Sequence, residues 1–203
     1  MKKKLFFCLT LLILLSQLFM GCDGGGSRAY SLSDGNHALL GPIAGASVKI
    51  CELAYSTDYM CVETQTDKYG SFSFKNPNGW DSEKIVLVMV KGGQDIDIHD
   101  DGLLDEKPTP NLGILHGFAR VSDLLNGKVN ITVLSDTVYQ YTSHLCSDVS
   151  CTISNSDLER VLETISEKLV SASSSANISK ASNSGYFDTI LKFNPLKIDD
   201  TPL

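Results

Sequence analysis

Apolar and polar residues alternate along Ala46, Ser47, Val48, Lys49, Ile50, Cys51, Glu52 and Leu53, the period of a strand with one buried face. A polar stretch follows, then a second strand over Tyr59–Thr64. Asp67–Gly70 reads as a turn, and Ser71–Lys75 as a short strand with Phe72 and Phe74 on one face. Asn76–Gly79 is a second turn cluster. Lys84–Val90 is a continuous apolar run, the pattern of a central strand buried on both faces, and Leu112–Val121 supplies one more strand. Short strands punctuated by Gly, Pro and Asn turns predict a mainly β architecture, a β-sandwich.

The grammar changes after residue 122. Ser135 is placed to cap a helix that runs through Leu145. Ser156–Glu159 has capping-box form, and Leu158, Val161, Leu162, Ile165, Leu169 and Val170 then fall on one helical stripe. Residues 171–184 are rich in Ser, Ala and Asn and carry no period, and Tyr186–Phe193 adds a short helix that Pro195 stops. Each helix has one apolar face that must be covered. The helices therefore either pack on the sandwich or form a small subdomain of their own.

The N-terminus carries an address. Lys2, Lys3 and Lys4 precede an almost wholly apolar run, Leu5–Met20, which has the layout of a secretory signal and is short for a membrane-spanning helix. Gly21 and Cys22 follow, then Asp23 and the glycines Gly24, Gly25 and Gly26. This segment resembles the lipobox of bacterial lipoproteins, with Phe19 where that family usually carries Leu. The resemblance implies cleavage after residue 21, a covalent lipid (diacylglyceryl and palmitate-like chains) on Cys22, and attachment to a membrane in the bacterial cell envelope, on the extracytoplasmic side. Residues 22–40, rich in Gly, Ser, Asp and Asn, read as a flexible tether.

The charge follows from the same cut. Three of the 17 basic residues and none of the 24 acidic ones lie in the first 21, so the remaining chain has a net charge of about −10. Such a surface repels phosphate backbones and argues against nucleic acid as a partner. Cys51, Cys61, Cys146 and Cys151 make an even set in an exported chain, which points to disulfides with three connectivities open. Local pairing is expected: Cys51 with Cys61 across a hairpin, and Cys146 with Cys151 around a short loop. His144 lies near Cys146, but zinc would need a second close Cys or His pair.

Gly41, Pro42, Ile43, Ala44, Gly45, Ala46, Ser47 and Val48, followed by Thr64, Thr66, Asp67, Gly70, Phe72 and Phe74, resemble the carboxypeptidase regulatory-like domain over about 80 residues, 41–121. The resemblance implies a transthyretin-like or Ig-like β-sandwich without a peptidase site. Asn130–Ser135 resembles the segment that follows such domains in large bacterial surface proteins. The expected organisation is thus a signal over 1–21, a tether over 22–40, a β-sandwich over 41–122 and a helical C-terminal region over 123–203.

The most unusual stretch is Asp95–Glu106, with five Asp and one Glu in twelve residues. Asp97, Asp101, Gly102 and Asp105 resemble the calcium loops of thrombospondin type 3 and dockerin repeats, with His99 where those carry Asp or Asn. The resemblance implies calcium held by the carboxylates of Asp97, Asp101 and Asp105 and the carbonyl of Leu103, an all-oxygen set that suits a hard cation. A solvated acidic turn, with Asp and Gly selected for turn chemistry, explains the same residues. His37, His99, His116 and His144 are scattered, and no nucleophile elbow, phosphate loop or zincin motif occurs. The sequence therefore points to a non-catalytic, lipid-anchored module for adhesion, envelope assembly or protein contact, stiffened by calcium. Its partners would be the membrane and an envelope protein or glycan. Two rivals stand beside it: a small-ligand or glycan-binding lipoprotein using Trp80, Tyr139 and Tyr141, and a hydrolytic enzyme using His99 with Asp100 or Asp105.

Overall fold

A computed structural model of the chain describes residues 29–32, 34–53, 60–76, 79–145, 154–172 and 185–195. Cys22, the signal segment, Cys146, Cys151 and the Ser-rich stretch 173–184 lie outside them. The chain is mainly β, with several sheets and a few helices.

Strand β3 (Ser47–Glu52) lies between β4 (Cys61–Gln65) and β6 (Ile85–Lys91), and β6 pairs in turn with β9 (Ile114–Arg120). All three pairings are antiparallel. The alternation read in the sequence is realised directly: Val48 and Ile50 are fully buried, whereas Ser47 is exposed. The apolar run of β6 is central as expected, flanked on both edges, though Leu87 and Met89 are only half-buried on their face. At the far end of β3, Cys51 stands opposite Cys61 and the two form a disulfide. Closing a loop of this length stabilises the fold by about 3 kcal/mol in the chain-entropy account.

A second sheet has the order β10–β1–β5, from β10 (Asn130–Thr132), β1 (Asn36–Leu39) and β5 (Ser71–Phe72). β10 runs parallel to β1 and β5 antiparallel to it. A small third sheet joins β2 (Ile43–Ala44), β7 (Gln94–Asp95) and β8 (Thr109–Pro110). The turn Asp67–Gly70 forms as expected, with the Asp67 carboxylate accepting from the amides of Tyr69 (2.8 Å) and Ser71 (2.9 Å). Phe72 and Phe74 both face the core.

The expected tether boundary is corrected here. Residues 36–39, assigned to the tether from their composition, form the central strand of the second sheet, and all four are buried. Their two polar side chains find partners at long range. Asn36 donates to the Leu124 carbonyl and accepts from the Val129 amide, and His37 meets Asn130.

The helices lie on the sheets, so the first of the two arrangements holds. Helix α1 (Val121–Leu125) follows β9 directly, α2 (Val133–Leu145) packs on β9, and α3 (Asn155–Ala172) packs on α2. Leu158 and Leu162 of the expected stripe enter the same apolar cluster as the strands, with Ile165 and Leu169 packed against it. Both expected caps shift upstream. Thr132 accepts from the amides of Leu134 and Ser135 and so caps α2, while Ser135 lies inside the helix and donates to the His116 carbonyl. Ser154 rather than Ser156 accepts from the Asp157 amide at the start of α3.

The chain then returns as a π-helical turn, Tyr186–Ile190, which goes into the core. Tyr186, Ile190 and Leu191 are wholly inaccessible, and the Tyr186 hydroxyl accepts from the Phe118 amide at 2.8 Å. The Asn130 amide donates to the Leu191 carbonyl. Arg120 pairs with Glu159 and lies over the Phe187 ring, 4.0 Å from its centroid. The expected C-terminal helical region thus supplies one strand of a sheet and part of the core.

Candidate functional site

The acidic segment is held by β7 and by an approach so close that only glycine fits. A Cβ on Gly41 would collide with the Asp97 carbonyl and the Asp95 carboxylate. The Gly41 amide donates to Asp95 Oδ2, and Asp95 Oδ1 accepts from the Asp97 amide at 3.1 Å. The loop returns on itself where the Asp105 amide donates to the Ile96 carbonyl at 2.8 Å.

Asp97 is the centre of this loop and is fully buried. Its Oδ1 accepts from the Asp101 amide (3.2 Å), and its Oδ2 from the Gly102 amide (2.9 Å) and the Tyr30 hydroxyl (2.8 Å). Tyr30 stacks on Tyr69, and its amide donates to the Gly102 carbonyl. Burial, and then the neighbouring Asp97 carboxylate, push the Tyr30 phenol well above its ordinary range, so the phenol stays a donor. Asp101 Oδ1 accepts from the Leu103 amide, and Asp105 Oδ2 from the Ile98 amide. Asp100 sits at φ 54°, a left-handed conformation that short polar side chains tolerate. Burial first, then the carboxylates of Asp97 and Asp95, raise its acid above the usual carboxylate range.

The oxygen chemistry of Asp97, Asp101, Asp105 and the Leu103 carbonyl suits calcium. Their placement serves the backbone. Each of the three carboxylates braces amides of its own loop, and among the described residues no three His, Cys, Asp or Glu side chains converge as a metal group. Buried Asp95 and Asp97 have no Lys or Arg within ion-pair distance among the described residues; amides and one phenol balance their charge instead. Sequence reading singled out Asp97, Asp101 and Asp105 but missed Tyr30 and Gly41. These reach the loop from 67 and 54 residues away, and no local pattern ties either of them to it.

The other candidates are dispersed. His99 lies exposed, its Nδ1 3.5 Å from Asp105 Oδ1. Trp80 is buried and stacks on Phe74 with centroids 6.0 Å apart. Tyr139 packs against the His116 and Phe118 rings, and Tyr141 is exposed. These aromatics therefore do not share a concave surface that includes Trp80. His116 Nδ1 lies 2.7 Å from Asp136 Oδ1, which also accepts the His116 amide, and this pair pins α2 to β9. Of the expected disulfides, Cys51–Cys61 is present, and Cys146 and Cys151 fall outside the described residues, as does Cys22. No described helix is long and apolar enough to cross a membrane.

Compared with protein families, curated proteins and solved structures, the chain matches none.

Proposed function

We propose that this chain is a lipid-anchored module of the bacterial cell envelope, on the extracytoplasmic side, that works by contact rather than by catalysis. The observation that carries the proposal is the Cys51–Cys61 disulfide across β3 and β4, because such bonds form and persist in oxidising compartments outside the cytosol. The basic and apolar start of the chain and the Gly21–Cys22 pair supply the route and the anchor. In this reading the two larger sheets are the layers of a transthyretin-like β-sandwich akin to the carboxypeptidase regulatory-like domain, its partner an envelope protein or a glycan. The Gly41–Val48 entry into β3 and the Asp67–Gly70 turn into β5 support that likeness.

Replacing Cys22 by Ser removes the thiol that takes the lipid. The protein is expected to move from the membrane fraction to the soluble extracytoplasmic fraction, read by fractionation and immunoblot. Retention of the variant on membranes at the wild-type level rejects the anchor.

Calcium enters the proposal as counter-charge for Asp95–Glu106. Millimolar calcium is expected to raise the melting temperature by a few degrees over a chelator control, and Asp101→Ala to abolish that gain. A flat titration removes calcium from the proposal and leaves the loop braced by its own amides.

The small-ligand rival gains one observation. Two cavities of about 290 and 390 Å³ adjoin at the end of the β10–β1–β5 sheet.

A further inference from the structure

We infer that Ala29 and Tyr30 form a strap that fastens the anchored end of the chain onto the acidic loop, so that the membrane-bound domain stands with this loop toward the bilayer. The inference rests on the envelope reading above for the bilayer, but not for the strap itself.

The strap makes four contacts, to two separate turns. Ala29 bridges Leu103 in antiparallel fashion, and the Tyr30 amide donates to the Gly102 carbonyl at 3.3 Å. The Tyr30 hydroxyl donates to Asp97 Oδ2 at 2.8 Å, a bond strengthened by the charge of the carboxylate. The Tyr30 ring lies nearly parallel to that of Tyr69 in the Asp67–Gly70 turn, with centroids 6.3 Å apart and an interplanar angle of 11°. Backbone, hydroxyl and ring thus each hold the strap in a different way. Together they fix its direction as well as its place.

That direction matters because it sets where the fixed part of the chain begins. Cys22 lies seven residues before Ala29, and a chain of that length spans at most about 25 Å. With the strap undone, the next secure residue is Asn36 at the start of β1, where four successive residues are buried. Cys22 lies fourteen residues before Asn36, so the reach doubles to at most about 50 Å. Docking therefore halves the lead and places its exit beside Leu103. Residues 98–101, in the same loop, are all exposed.

Undocking is a local event. The strap consists of an exposed alanine and a half-buried tyrosine, and the serine that follows is exposed, whereas β1 is paired on both sides. A segment so lightly covered opens well before the domain unfolds. The strap gives the protein two postures on one anchor: a short one with the acidic loop toward the bilayer, and a long one in which the domain turns freely.

Two measurements test this. In the full chain carrying Cys22→Ser, hydrogen exchange reads the amide of residue 30. It is expected to exchange at least tenfold more slowly than in an unstructured peptide of the same sequence. Tyr30→Phe, which keeps the ring and loses the bond to Asp97, should speed it about fivefold. Exchange at the free-peptide rate overturns the strap. In the second measurement the lipidated full chain sits in phosphatidylcholine vesicles, with a donor dye on Ile98→Cys and an acceptor dye on the headgroups. The chain without that added cysteine supplies the background labelling. Tyr30→Ala is expected to lower energy transfer at least twofold, with Tyr30→Phe between it and the wild type. Circular dichroism checks folding, and Tyr30→Phe alone decides if the alanine variant does not fold. Transfer that neither variant changes overturns the posture. An anchor failure shows separately: Cys22→Ser protein that stays on membranes rejects the envelope reading and the posture with it, while the exchange rate still decides the strap.

Discussion

Replacement of Tyr186 by alanine is expected to cost about 3–5 kcal/mol, the range for truncating a fully buried aromatic side chain. A domain of ordinary stability holds only about 5–15 kcal/mol in total, so this one change should bring the protein near its unfolding threshold at physiological temperature. The reason is position. Tyr186 is wholly inaccessible, meets Phe187 edge-on at 5.1 Å, and takes the Phe118 amide of β9 on its hydroxyl. Alanine leaves a cavity and an unpaired buried amide at once. Tyr186→Phe separates the two effects: it keeps the ring and abandons the amide, at a cost of about 1–3 kcal/mol. Urea denaturation of the three proteins, fitted with a common slope, reads both values. A Tyr186→Ala loss below about 1 kcal/mol would mean that the terminal turn does not belong to the core.

The second large effect is expected at Asp97. Asp97→Ala strips acceptors from the Asp101 and Gly102 amides and from the Tyr30 hydroxyl, all three near a site where the carboxylate is fully buried. Hydrogen bonds to a charged group contribute about 1.5–3 kcal/mol each, but the freed loop amides recover water, so a net loss of about 3 kcal/mol is expected. Asp101→Ala gives up a single bond to the Leu103 amide on an exposed turn and should cost under about 1 kcal/mol. Thermal unfolding in chelator, with hydrogen exchange at Asp101 and Gly102, distinguishes the variants. Equal losses at the two positions would show that Asp97 is one more turn residue and not the brace of the loop.

These two residues mark the limits of what could be read in the chain. Asp97 stood out because carboxylates crowd around it, yet nothing nearby said that it would be buried and Asp101 exposed. That difference comes from Tyr30 and Gly41, whose hydroxyl and bare backbone close over the loop from distant segments. The caps tell a similar story. Serines and threonines recur at several registers before each helix, so several could cap it. Ser135 lost that role because the His116 carbonyl of β9 recruits its hydroxyl, and Thr132 took it. Residues 36–39 were illegible for another reason. Asn36 and His37 look like tether residues until Leu124, Val129 and Asn130 meet them from distant segments.

Local periodicity was enough to set the strands of the four-stranded sheet, because a two-residue alternation in β3 and an unbroken apolar run in β6 leave the backbone few other ways to bury those side chains. It also placed the Asp67–Gly70 turn, and spacing paired Cys51 with Cys61. Only the tertiary structure decided which polar groups are buried, which serine caps a helix, and that the last turn plugs the core. Those outcomes depend on hydrogen bonds and packing between segments tens of residues apart, and a side chain's own neighbours in sequence carry no record of them.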